Sequence, residues 1–215
     1  MMVIMYDDHH ICGILAAMEA TPTSRKQLTH ERILDTAARV LRESGFQGVG
    51  VADIMKRAGL THGGFYAHFP SRDALLAEAL ERAGQDSQAR LQRSIGAGEK
   101  DGKRFRALVE SYLSERHLKA PEAGCPVAAL ASEMPRQSDA VRAAGAARTQ
   151  SLIASVAATL PADQADETAG IVAGQLVGAL QLARALGDNA KGRRHLAAAR
   201  AFLLDQFDSA PLPKR

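Results

Sequence analysis

Apolar positions recur along this chain at helical spacing, and nowhere alternate over five or more residues bounded by turn chemistry. Ile33, Leu34, Ala37, Val40 and Leu41 fall at i, i+1, i+4, i+7 and i+8, one stripe of an amphipathic helix. Thr29 can cap it, with Glu31 in the first turn, and Gly45 stops it. A short helix is predicted from Val51 to Ala58, with Val51, Ile54, Met55 and Ala58 inward. Gly59 breaks it, Thr61 can cap a further short segment through His68, and Pro70 ends that. Ser71 then caps a long helix carrying Leu75, Leu76, Ala79 and Leu80.

Five more helices follow. Lys103 to Leu118 places Phe105, Leu108, Val109, Tyr112 and Leu113 on one stripe. Beyond a loop with Pro121 and Gly124, a short segment from Pro126 to Met134 is closed by Pro135. Ser138 to Leu160 is long and alanine-rich, Pro161 suits the first turn of a helix to Gly187, and the last runs from about Asn189 to Phe207. The expectation is an all-α chain of about nine helices. A three-helix N-terminal domain spans residues 24–80 and a larger helical domain 81–209, with the boundary inside the long helix. Residues 1–23 read as an extension and 210–215 as a tail.

Charge and cysteine content narrow the picture only slightly. The 215 residues carry a net charge of +3, which permits nucleic-acid binding without arguing for it. Cys12 and Cys125 cannot make a disulfide framework, so a reducing, cytoplasmic setting is expected. The longest apolar run, Ala169 to Ala183, is short for a bilayer span and holds Gln175 and Gln181, and the N-terminus leads with Asp7 and Asp8, unlike a signal peptide. Asp7, Asp8, His9, His10 and Cys12 could ligate a metal, but in an extension they read better as a bland segment, and no metal or other cofactor is expected. No phosphate loop, Gly-x-Ser-x-Gly or His-Glu-x-x-His occurs, and His117 with Glu115 or Glu133 is a pair any helical protein offers, so no enzyme is expected.

Helix, glycine-containing turn, helix is the pattern from Val51 to Phe69, with the turn at Ala58-Gly59-Leu60-Thr61. The second helix carries two glycines near its start, costly in a helix interior by roughly 1 kcal/mol each. Its polar side holds His62, Tyr66 and His68, while Phe65 and Phe69 point inward at i, i+4. Small residues there let backbone approach a surface, with donors placed for phosphates and base edges. Spacing alone fits a packed three-helix domain as well, and a helical adaptor for protein partners is a third option. The adaptor predicts acidic or apolar character across His62–His68, where the chain has no acid.

Gly45-Phe46, Asp53-Ile54, Ala58-Gly59-Leu60, Tyr66-x-His68-Phe69 and Ser71-Arg72 before Leu75 resemble the DNA-binding domain of TetR-family transcriptional regulators. The resemblance implies a repressor that binds a palindromic operator in double-stranded DNA as a homodimer and is released by a small-molecule effector. It assigns Gly50 to Phe69 as the helix-turn-helix, with His62, Gly63 and Gly64 on the major-groove face. Thr61, Tyr66, His68 and Arg72 would contact phosphates. Gly50 and Val51 stand where members often carry Ser or Thr, so one hydroxyl contact is absent and affinity leans on Arg25, Lys26 and Arg72. Residues 24–84 hold nine Lys or Arg against seven Asp or Glu, a difference of +2, so few phosphate contacts per subunit are expected.

In the second half, Gly170, Gly174 and Gly178 share one helix face, which close packing could exploit. A two-fold interface with the last helix (Leu196, Leu203, Phe207) is one reading, and packing within one chain is the other. The resemblance implies an effector cavity, for which Phe105, Leu108, Tyr112, Cys125, Val127, Leu130 and Met134 are candidates, although such a stripe also makes plain core. Cys125, between Gly124 and Pro126 at a helix start, is placed either for redox or electrophile sensing or for simple burial.

Overall fold

Ser24, and not Thr29, opens the first helix of the computed structural model, which describes residues 24–48, 50–162 and 165–208. The Ser24 Oγ accepts the Gln27 N–H at 3.2 Å, and Thr29, inside the helix, donates its hydroxyl to the Arg25 carbonyl. The apolar stripe marks the buried face of a helix and not its first turn, which is polar here. This helix, α1 (Arg25–Ser44), ends at Gly45 with φ of 71°. Next come α2 (Val51–Arg57), a 3-10 helix (His62–Ala67) and α3 (Arg72–Glu99), whose N-cap Ser71 accepts the Ala74 N–H at 3.1 Å.

The stripe over Lys103 to Leu118 breaks into α4 (Arg104–Tyr112) and α5 (Glu115–Lys119). Ser114 causes the break: extended backbone there lets its hydroxyl accept the His117 N–H, a local cap that competes with helix continuation. A 3-10 turn at Pro121–Ala123 leads to α6 (Pro126–Leu130). Pro135 does not close that segment; it lies in the first turn of another 3-10 helix, Met134–Arg136. Then come α7 (Asp139–Ala157), α8 (Ala165–Leu186) and α9 (Ala190–Phe207), so Pro161 lies ahead of α8 and not in its first turn. Among the described residues the fold is all α, with nine α-helices and no strand. Asp7 to Cys12 and the tail from 210 lie outside the described residues.

Two apolar clusters share α3. One joins Ile33, Leu41, Phe46, Ile54, Phe65 and Phe69 to Leu75, Leu76 and Leu80. The other joins Leu91 and Ile95 to α4 and to α7–α9. Leu130, Met134 and Val141, although late in sequence, belong to the first cluster, so the second half of the chain helps hold α1. Polar pins reinforce this: Arg82 of α3 pairs with Glu31 and, at 2.8 Å, Asp35 of α1, and Arg148 of α7 meets Glu81 at 3.2 Å.

Candidate functional site

The turn between α2 and the 3-10 helix depends on Gly59, whose φ of 68° L side chains rarely adopt. The expected α-helical segment through His68 is 3-10 over His62–Ala67, bonded from the Gly64 N–H to the Thr61 carbonyl and from His68 to Phe65. Two adjacent glycines weaken any α-helical nucleus, and the tighter turn suits a six-residue piece. Thr61 is exposed and its side chain makes no capping hydrogen bond, contrary to the capping role expected of it. Phe65 and Phe69 are buried and stacked 5.8 Å apart, which anchors the segment from beneath. Above that floor, His62 and Gly63 are exposed and a methyl on Gly63 would meet nothing within 4 Å. Gly64 is half-buried over Met55, and Tyr66 stands 73% exposed, edge-on to Phe65.

The flanks are less open than the sequence implied. His68 is half-buried with its Nδ1 enclosed and unpartnered, and burial, then His30 and Lys26, push its pKa down. His30 of α1 stacks on Phe69 at 4.4 Å and reaches Glu78 at 3.1 Å, tying the segment to α1 and α3. Arg72 donates to the Phe46 carbonyl at 2.6 Å, so its guanidinium braces the α1–α2 turn. Gly50 caps α2 with no side-chain bond, Val51 is half-buried, and Arg25 and Lys26 are exposed at the start of α1.

A cavity of about 420 Å³ opens between α3 and the α4–α6 segment. Of the seven candidates for a ligand site, Tyr112 and Cys125 line this cavity. Phe105 packs edge-on against Phe207, and Leu130 and Met134 belong to the cluster around α1; apolar spacing marks burial, not which void is buried around. Arg90, Arg93, Arg116 and His117 complete the chemistry of the wall, together with four serines. His117 holds the corner: its Nδ1 donates to the Tyr112 carbonyl at 2.7 Å, because its Nε2 accepts the Cys125 N–H at 2.9 Å. Burial first, then Arg184 and Arg90, push its pKa down to about 4. It therefore pairs with neither Glu115 nor Glu133. Tyr112 is buried, its hydroxyl has only the Cys125 thiol for company, and burial with Cys125 beside it raises its pKa well above normal. Cys125 is 4% exposed at the start of the five-residue α6.

Sequence reasoning missed the link between cavity and helix-turn-helix. Arg42 of α1 is 5% exposed and donates to the Ala83 carbonyl at 3.2 Å and the Gly124 carbonyl at 3.5 Å, next to Cys125. Glu133 accepts the Phe46 N–H at 3.0 Å. A signal for Arg42 was present: it follows Leu34 and Ala38 at steps of four, a charge on a buried face.

Gly170, Gly174 and Gly178 continue at steps of four into Leu182 and Leu186, a stripe of α8 turned away from its own core. A methyl on any of the three glycines would meet nothing within 4 Å. Ile171, Leu182, Leu186 and Phe202 are the large apolar residues exposed on α8 and α9. Leu203, expected at an interface, is 1% exposed and buried within the chain; one position of helical rotation puts Phe202 outside instead. Glu167–Leu186 is longer than the apolar run read from sequence and passes for a membrane span by length and composition, but its Val172, Leu176 and Leu180 pack inside the protein.

Residues 33–79 match the family model described as bacterial regulatory proteins, tetR family, and residues 102–193 match that of the LmrA/YxaF-like transcriptional regulator C-terminal domain. The chain is 31% identical over 169 residues to Rv0196 of Mycobacterium tuberculosis, an uncharacterised HTH-type transcriptional regulator, across 74% of this chain and 85% of that one. It is 28% identical over 117 residues to the HTH-type transcriptional repressor NemR of Escherichia coli, across 54% of this chain and 59% of NemR. The crystal structure of reduced E. coli NemR shares the fold, with a TM-score of 0.73 at 22% identity over 86% of this chain and 99% of that one.

Proposed function

This chain belongs to the TetR family of transcriptional regulators, and on that footing we propose a cytoplasmic repressor that binds a palindromic operator as a homodimer and is released by a small-molecule effector. Members are DNA-binding transcription factors and not enzymes. The observation that carries the DNA reading is the exposed His62–Ala67 segment, with open backbone at Gly63 and an outward Tyr66 over a buried Phe65–Phe69 floor. Such a rigid platform offers donors to phosphates and base edges with little side-chain bulk between backbone and groove. In this reading Gly50, Val51, Thr61, His68 and Arg72 flank the contact, His62, Gly63 and Gly64 face the groove, and residues 24–80 act as one unit on α3.

Two further observations support the finer parts. The exposed stripe of Gly170, Gly174, Gly178 and Leu182, beside Phe202, fits a second copy of the same face. The Arg42–Gly124 contact gives a cavity occupant a direct route to α1, so a ligand that moves the Gly124–Cys125 corner favours one arrangement of the reading heads over another. A second reading, switching by oxidation or alkylation of Cys125, is favoured by the position of that thiol on the cavity wall beside Tyr112. Cys125→Ser, with Cys12 left in place, separates the two: it abolishes oxidant-driven release and leaves ligand-driven release intact.

Selection from a random duplex pool with the purified full chain at moderate salt tests the whole. Enrichment of a two-fold palindrome, with a salt slope of a few phosphates per subunit, is the expected result. A folded, reduced, ligand-free dimer that enriches nothing overturns the DNA reading.

A further inference from the structure

We propose that the cavity between α3 and the α4–α6 segment takes a small apolar carboxylate, in preference to a neutral or cationic compound. The inference rests on the reading of this cavity as the effector site and adds the chemical class. Arg90, Arg93 and Arg116 line the cavity, and no Asp or Glu does. Arg42 and Arg184 stand behind the Gly124–Cys125 corner, where Arg184 donates to the His117 carbonyl at 2.7 Å. Three guanidiniums thus line the void and two more lie behind its corner, while the two acids nearby, Asp86 and Glu122, do not line it. Asp86 lies 3.9 Å from Arg42 and also acts on Arg90, and Glu122 acts on Arg42 and Arg184.

The inner wall supplies the rest of the chemistry. Arg90 donates to the Ala123 carbonyl, and its own pKa is lowered by burial and by Arg116 and Arg93, against the opposing pull of Asp86. A bound anion would relieve that crowding. The buried Tyr112 hydroxyl on the same wall has only the Cys125 thiol beside it and no oxygen or nitrogen partner, which leaves it able to donate to an incoming oxygen. Burial makes the phenol harder to ionise, so it offers a proton to an incoming oxygen. Leu91, Ala97 and Ala120 give the remaining wall an apolar character that an inorganic ion would leave unused. A cleft lined by one sign of charge also concentrates ligands of the opposite sign. A cation here would face three arginines on the wall and no lining carboxylate.

Calorimetric titration of the full-length protein with 2-naphthoate, its neutral isostere 2-naphthamide and inorganic phosphate tests the assignment. The carboxylate should bind at least about tenfold more tightly than the amide, because charge-assisted hydrogen bonds are the stronger class, and phosphate should bind weakly. Arg93→Gln/Arg116→Gln alters two exposed side chains, so the unliganded protein should melt unchanged while naphthoate affinity falls at least about tenfold. Tyr112→Phe should weaken the carboxylate and leave the amide nearly as it was. Equal affinity for naphthoate and naphthamide, no binding of naphthoate, or undiminished naphthoate binding by the double variant each overturns the proposal. Operator release is scored separately. Release by neutral compounds alone overturns the carboxylate and leaves the effector reading standing. Arginine-dependent naphthoate binding without any effect on operator affinity supports the anion site and overturns its role as effector site.

Discussion

Gly59 and Gly63, four residues apart, do different work. At Gly59 a methyl would touch nothing, so the cost of Gly59→Ala is backbone strain at positive φ, roughly 1–2 kcal/mol in urea unfolding. Gly63 has ordinary backbone and open space, so Gly63→Ala should leave stability unchanged or slightly raised. If its bareness serves close approach to DNA, the same variant loses about fivefold in operator affinity, the worth of roughly one hydrogen bond. Full affinity in a stable Gly63→Ala protein would show that the glycine is there for folding. His117 supplies a pH signature. Its folded pKa is about 4 against an unfolded value near 6.5. Between those values the unfolded chain binds more protons, so stability is complete above about pH 6.5 and falls towards pH 4, by at most roughly 3 kcal/mol. His117→Gln should flatten the fall in melting temperature from pH 7 to pH 5. Glycines and histidines are visible in sequence; which of them stands in open space and which is enclosed is set by neighbours tens of residues away.

Among the elements, α1 is the one on which the proposed coupling rests. Its C-terminal end is held by Arg42 on the Gly124 carbonyl, and the Phe46 N–H after it by Glu133. Arg42→Met should cost about 1–3 kcal/mol in chemical denaturation, because buried carbonyls lose their donor. Its more specific effect should fall on the ratio of operator affinities with and without a releasing compound, which shrinks towards one. An unchanged ratio would mean that α1 receives the signal elsewhere. The stripes that place α1 and α3 were legible from apolar spacing alone. Helix ends were less so: Ser24 and Ser114 start helices because their hydroxyls find an N–H three residues on, and that competition with neighbouring caps is decided by local backbone geometry.

For the whole molecule, the expectation concerns the outer face of α8 and α9. Ile171→Glu or Phe202→Glu places a charge on an exposed apolar patch and should convert a dimer to a monomer in sedimentation, with the helical content kept. Leu203→Ala, by contrast, opens a cavity within each chain and should cost about 2–5 kcal/mol without selectively dissociating the dimer. A dimer indifferent to both Ile171→Glu and Phe202→Glu would move the interface off this face.

The amino-acid sequence by itself determined the helical class and the helix-turn-helix with its glycine turn, because these depend on periodicity and on residues within one or two turns of each other, and its motifs between Gly45 and Leu75 carried the resemblance to the family. Tertiary structure alone decided that Leu203 is core and Phe202 surface, that Leu130 and Met134 pack under α1, and that arginines from α3 and α5 line one cavity with Tyr112. Those are pairings of positions far apart in the chain, fixed by how helices cross, and a one-residue rotation of a helix about its axis is enough to exchange core for surface.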